Sequence, residues 1–216
     1  MNLIVKLFLI PVLFISCSSN STEEIPYYFT SDFMPHFASE EALKFTHKIL
    51  QFELLNQDSN LITNTTIQNK LHVANFIFTT CGSICPIMVD HMKLINDEFP
   101  ADSAIAFLSY SVTPWIDTPS KLKTYKEYKR IRNPNWHFLT GSKSEIYNLA
   151  RQGYFAEEDL GFTKDSSDFL HTEYFILVDE NQYIRGIYNG TLKTDINQLI
   201  KDIRVLKLGA TALTSF

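Results

Sequence analysis

Apolar positions in this chain fall into short blocks. Some are near-continuous and others recur every three or four residues. Phe52-Glu53-Leu54 and Leu61-Ile62-Thr63 flank the polar stretch Asn56-Gln57-Asp58-Ser59-Asn60, which predicts a hairpin. Leu71 to Thr79 and Ala104 to Val112 are apolar enough to predict buried strands. Between them Ile84, Met88, Met92, Ile95 and Phe99 recur at helical spacing. Thr118-Pro119 reads as an N-cap followed by proline at the first helical position, with Leu122, Tyr125, Tyr128 and Ile131 behind it. Trp136 to Leu139 predicts a short strand. Ser142-Lys143-Ser144-Glu145 fits a capping box opening a helix that ends at Gly153. Tyr154 to Phe169 reads as a polar, acidic loop, of a length that is often functional. Tyr174 to Val178 and Tyr183 to Ile187 bracket Asp179-Glu180-Asn181, a second hairpin. Ile196, Leu199, Ile200 and Ile203 mark a last helix ending near Gly209.

Strands alternating with helices, with hairpins near both ends, predict an α/β fold. Its central mixed β-sheet is flanked by helices and carries an N-terminal β-hairpin. A chain of 216 residues, 45% hydrophobic, supports one such core with short appendages. The formal charge of −5 argues against nucleic-acid binding through a broad basic surface.

The N-terminus reads as a targeting segment. Leu7 to Ile15 is apolar but far too short to span a bilayer, and Ser16-Cys17 follows it. A small residue before a cysteine, after such a run, resembles a bacterial lipoprotein cleavage site. The alternative is an ordinary signal peptide or short anchor with an incidental cysteine. The predicted organisation is a signal peptide over 1–16, a tether and N-terminal extension over 17–45, and a thioredoxin-like domain over 46–216. With lipidation at Cys17, the protein is exported, anchored to the membrane and periplasm-facing.

That assignment simplifies the thiols. Of three cysteines, Cys81 and Cys85 remain, a pair able to form a disulfide or bind a metal. They sit where a buried strand gives way to a helix. This is the thioredoxin-like arrangement, in which free N–H groups and the helix dipole favour a thiolate. Spacing of four places Cys85 one turn beyond Cys81 on the same helix face. A three-residue gap suits a metal better than the two-residue gap of dithiol oxidoreductases. No proline precedes the Tyr174 strand, where thioredoxin-type oxidoreductases usually carry one, and His171 stands there instead. The long loop before His171 could carry it toward or away from the thiols, and a lone histidine is more often structural. As a ligand it would make, with two thiolates, a soft set suited to Cu(I), and workable for Cu(II) with an added ligand. Zinc would want a fourth ligand or water.

The remaining histidines read as structural: His91 on the thiol-bearing helix face, His137 in core or at a sheet edge, and His36, His47 and His72 without suggestive neighbours. Met88, one turn past Cys85, fits the core stripe better than a metal site. No phosphate loop, Ser/His/Asp signature or zinc-protease motif occurs.

Phe78-Thr79-Thr80-Cys81-Gly82-Ser83-Ile84-Cys85-Pro86 resembles the Thr-x-Cys-x-x-x-Cys-Pro motif of the Sco/SenC copper chaperones. Ser111-Val112-Thr113-Pro114 with Asp117-Thr118-Pro119, and Phe138-Leu139-Thr140-Gly141, resemble further segments of that family. His171, followed by Tyr174 to Asp179 and Tyr188-Asn189-Gly190-Thr191, falls where the family has its histidine ligand and closing strands. The resemblance implies copper bound by Cys81, Cys85 and His171 in a membrane-tethered, thioredoxin-like protein. It implies delivery of copper to the binuclear copper site of cytochrome c oxidase, or reduction of that site's cysteines by Cys81 and Cys85. The implied partner is the oxidase subunit carrying that site, or another copper or thiol-redox protein. Three departures leave the ligands intact: Thr113 replaces an aspartate, Leu170 stands where many members have an aspartate, and Gly82 replaces a frequent proline.

Overall fold

The structure, a computed structural model, describes residues 24–37, 40–43, 46–100, 102–156 and 172–213. The strands are β1 (Glu53–Asn56), β2 (Leu61–Thr63), β3 (Leu71–Ile77), β4 (Ile105–Ser111), β5 (Trp136–Thr140), β6 (Tyr174–Val178) and β7 (Ile184–Asn189). They form one seven-stranded sheet in the order β2-β1-β5-β4-β3-β6-β7. β3 pairs parallel with β4 and β4 with β5, while the outer pairings are antiparallel. The helices are α1 (Glu40–Leu43), α2 (Ile84–Glu98), α3 (Pro119–Tyr128), α4 (Lys143–Asn148) and α5 (Lys193–Leu213). The mixed, helix-flanked sheet with its N-terminal hairpin is the architecture the hydrophobic pattern predicts.

β3 and β4 are buried at every position because helices or packed segments cover both faces. On one face Leu71, Val73 and Ile77 of β3 join Ile105 and Phe107 of β4 and Trp136 and Phe138 of β5. They pack against Met88, Val89, Met92 and Ile95 of α2, Leu122 of α3 and Leu199 and Ile203 of α5. On the other face Ala74, Phe76, Leu108, Tyr110 and Leu139 meet Ile146, Leu149 and Tyr154. Parallel neighbours require crossovers, and α2 and α3 are those connecting β3 to β4 and β4 to β5.

Two elements depart from expectation. Ser142 caps α4 by accepting from the Glu145 N–H, but the Glu145 carboxylate does not complete the capping box; it accepts instead from the Glu53 N–H of β1 at 2.9 Å. The helix then loosens into a π turn over Leu149–Gly153. α5 passes through Gly209, where an added Cβ would meet nothing within 4 Å, so that glycine is no stop signal.

The N-terminal segment packs on the domain. Tyr28 bridges Ile184, and the Arg185 guanidinium donates to the Ile25 and Pro26 carbonyls while lying 3.8 Å from the Tyr27 ring centre. Among the described residues no helix is long and apolar enough to cross a membrane.

Candidate metal centre

β3 ends at Ile77, and the Cys81 N–H closes a turn onto the Phe78 carbonyl at 3.2 Å. Gly82 and Ser83 follow, and α2 begins at Ile84. Cys81 therefore lies ahead of the helix rather than on it, and only Cys85 is helical. The expectation of two thiols stacked on one helix face fails at Cys81 because the turn uses up the residues that would have been its first turn. The outcome for the sulfurs is nonetheless convergence. Ser83, at the N-cap position, makes no side-chain cap bond. The Cys81 sulfur lies 3.7 Å from the Ser83 hydroxyl and faces the Cys85 thiol and the backbone at Ser83 and Cys85, groups that favour its thiolate form.

These contacts split the two acidities. Burial pushes the Cys81 thiol up, but the hydrogen bonds from Cys85 and Ser83 outweigh it and bring Cys81 down to about 7. Burial pushes Cys85 up, and donation to Cys81 adds to it, to about 12. Both cysteines are free; Cys81 is partly exposed and Cys85 is 3% exposed. The pair is one poised, reachable thiolate backed by one buried, protonated thiol.

Three surroundings were not legible as site features. Tyr125 of α3 packs on this cluster, its hydroxyl pushed up by burial and then by the acidic groups of Cys85, Asp90, Cys81 and Asp117 as they ionise. Asp117 is fully buried and accepts from the Thr79 N–H and hydroxyl, two residues before Cys81. His91 is the third. Its Nδ1–H donates to the Gly190 carbonyl at 2.8 Å, and the Gly190 N–H donates to the Glu173 carbonyl at 2.7 Å. The thiol-bearing helix is thereby tied to the segment entering β6. A Cβ on Gly190 would lie 2.9 Å from that Glu173 carbonyl, so glycine is required there.

The β3–β6 register runs antiparallel, from His72 opposite Val178 to Ala74 opposite Ile176. The start of β6 thus lies at the sheet end where β3 leads into the thiol turn. Thr172 and Glu173 open this stretch. His171 immediately precedes them in sequence and, with Cys17 and Leu170, lies outside the described residues. Among the described residues no three His, Cys, Asp or Glu side chains converge as a metal set. The described contribution is the Cys81–Cys85 pair, whose soft sulfurs fit Cu(I) and leave a further donor to be supplied.

The other histidines are structural. His72 is buried against the Tyr154 hydroxyl at 3.1 Å, and burial pulls it down to about 3. His137 sits where β5 meets β1, 3.4 Å from the Asn56 amide. The His47 Nε2 lies 2.8 Å from the Gly153 carbonyl, and His36 bridges Tyr27. Met88 is fully buried in the core. Thr113 donates its hydroxyl to Asp117, and a Cβ on Gly82 would meet nothing within 4 Å.

The family model described as SCO1/SenC matches residues 40–207. The SCO1 protein homolog of Bacillus subtilis is 30% identical over 160 residues, covering 73% of this chain and 82% of its own. A putative copper-binding protein of Stutzerimonas stutzeri is 27% identical over 149 residues, covering 68% of this chain and 72% of its own. The solved structure of BsSco, a member of the Sco family of cytochrome c oxidase assembly proteins in which a disulfide switch was identified, superposes with a TM-score of 0.62. It is 29% identical, covering 74% of this chain and 93% of that one.

Proposed function

We propose a function from one premise: this chain belongs to the SCO1/SenC family. On that premise the protein binds copper through Cys81, Cys85 and His171. It carries the ion, as a metallochaperone, toward the binuclear copper site of cytochrome c oxidase. Cys17 carries the lipid that holds it at the membrane, facing the periplasm. The relative named as copper-binding and the assembly role of BsSco's family support this reading.

The observation that carries it is the split thiol pair. Cys81, near 7, offers a thiolate at neutral pH to an incoming soft cation. Cys85 sits within hydrogen-bond reach and yields its proton when the second sulfur is engaged. Two sulfurs leave a Cu(I) ion short of three-coordination, and an imidazole completes a set of matching softness.

Anaerobic Cu(I) titration of the fully reduced chain, with thiol counting, tests the reading. One copper per chain is expected, lost in Cys81→Ala, Cys85→Ala and His171→Ala. Undiminished tight binding in His171→Ala counts against the ligand set.

The same heightened acidity of Cys81 supports a second reading, thiol–disulfide exchange with the oxidase's copper-site cysteines. Cys81 thiolate attacks the partner disulfide, one partner sulfur leaves as thiolate, and Cys85 displaces the other, ending as a Cys81–Cys85 disulfide. This needs both cysteines and no histidine. Reductase activity that survives His171→Ala, in a parent with negligible copper affinity, selects it.

A further inference from the structure

We infer that Asp117 is the positioning residue of the thiol site, a role that rests on the reading of Cys81 and Cys85 given above. Its carboxylate is fully buried, a placement tolerated only when donors surround the charge. Four hydrogen bonds do so. Oδ1 accepts from the Thr79 hydroxyl at 2.5 Å. Oδ2 accepts from the Thr79 N–H at 3.1 Å, the Ser111 hydroxyl at 2.7 Å and the Thr113 hydroxyl at 3.1 Å. Lys121 adds a distant positive charge, its Nζ 3.8 Å from Oδ1.

The location of these donors assigns the role. The β3–β4 register ends with Ile77 opposite Ser111, and the Val112 N–H closes the ladder on the Ile77 carbonyl at 2.9 Å. Beyond that point the chain continues as Phe78-Thr79-Thr80-Cys81, which has left the sheet and not yet entered α2. Asp117 grips Thr79 at backbone and side chain together, while its other oxygen contacts anchor it to the exit of β4. It therefore extends the β3–β4 connection past the end of the ladder and fixes the strand exit that carries Cys81 to the start of α2. A carboxylate needed only to fill space would not draw half its bonds from the residue two before a thiol.

The test compares Asp117→Asn and Thr79→Val with Thr118→Ala, which removes the adjacent α3 cap outside this network. Two properties of the reduced, folded chain are read: hydrogen exchange of the Thr79 and Cys81 amides, and Cu(I) affinity by competition with a chelator. In Asp117→Asn and Thr79→Val, exchange should quicken by roughly tenfold, the scale of losing a charge-assisted bond. Copper affinity should fall about 10- to 100-fold, as when a group supporting a ligand is removed. Thr118→Ala should lower stability and leave both readouts at the parent value. Parent-like exchange and affinity in Thr79→Val overturn the inference, and so does an equal change in Thr118→Ala. Should Asp117→Asn not fold, Thr79→Val decides alone. Should the parent bind no Cu(I), the copper reading fails and the exchange readout still decides Asp117.

Discussion

Loading the thiol pair with Cu(I) at pH 7 should release about 1.5 protons from the two cysteines, because both sulfurs must bind as thiolates. Cys81, at about 7, is half ionised at that pH and gives up about 0.5 proton. Cys85, at about 12, is fully protonated and gives up about 1. At pH 9 Cys81 is already a thiolate, so release falls to about 1. Two independent thiols of ordinary acidity behave differently: with values near 8.5 they release about 2 protons at pH 7 and about 0.5 at pH 9. The perturbation is therefore pH alone. The assay is anaerobic titration calorimetry of the reduced chain in buffers of different ionisation enthalpy, at both pH values. Release that drops only from about 1.5 to about 1 supports the split pair. A drop from about 2 to about 0.5 would refute it, since neither hydrogen bonding at Cys81 nor burial at Cys85 would then be shifting the thiols.

Three further outcomes follow from the packing. Met88→Ala, at a fully buried core position, should cost about 2–5 kcal/mol in urea unfolding and leave Cu(I) affinity at the parent value; a lost copper site would make Met88 a ligand. Gly190→Ala drives a Cβ against the Glu173 carbonyl and the Phe175 ring and should cost about 1–3 kcal/mol. Its His91 ring signals should shift as the bond to Gly190 is disturbed, and unchanged stability would contradict the packing. His72 is held at about 3 by burial, below its unfolded value, so on acidification the unfolded chain takes up this proton first. Its contribution to stability is intact above pH about 6.5 and is lost toward pH 3 at about 1.4 kcal/mol per unit, with His137 adding to the loss down to about 4. Urea midpoints that stay level from pH 6.5 to 4 would contradict it.

How much of this was legible in the sequence depends on whether the cause is local. β3 and β4 could be read because burial on both faces writes itself as a continuous apolar run. α3 could be read because Thr118 and Pro119 are local start signals, and the Thr118 hydroxyl does accept from the Lys121 N–H. The juxtaposition of Cys81 and Cys85 was equally local. Their exact seating was not, since a spacing of four fits a helical turn and also a turn followed by a helix start. Asp117 was visible within its motif, but nothing nearby indicated that its carboxylate reaches back 38 residues to Thr79. His91 looked like one more position on a helix face because its partner, Gly190, lies 99 residues away. The His72–Tyr154–Tyr110 cluster likewise joins two central strands to the turn after α4, a pairing no periodicity encodes.

The central claim is that Cys81, Cys85 and His171 together hold one copper ion. X-ray absorption at the copper edge of the Cu(I)-loaded reduced chain, compared with its His171→Ala variant, tests it most directly. Two sulfur neighbours and one imidazole nitrogen are expected in the parent, with the imidazole pattern absent from the variant. A parent spectrum with sulfur neighbours alone, or an imidazole pattern that persists in His171→Ala, would contradict it.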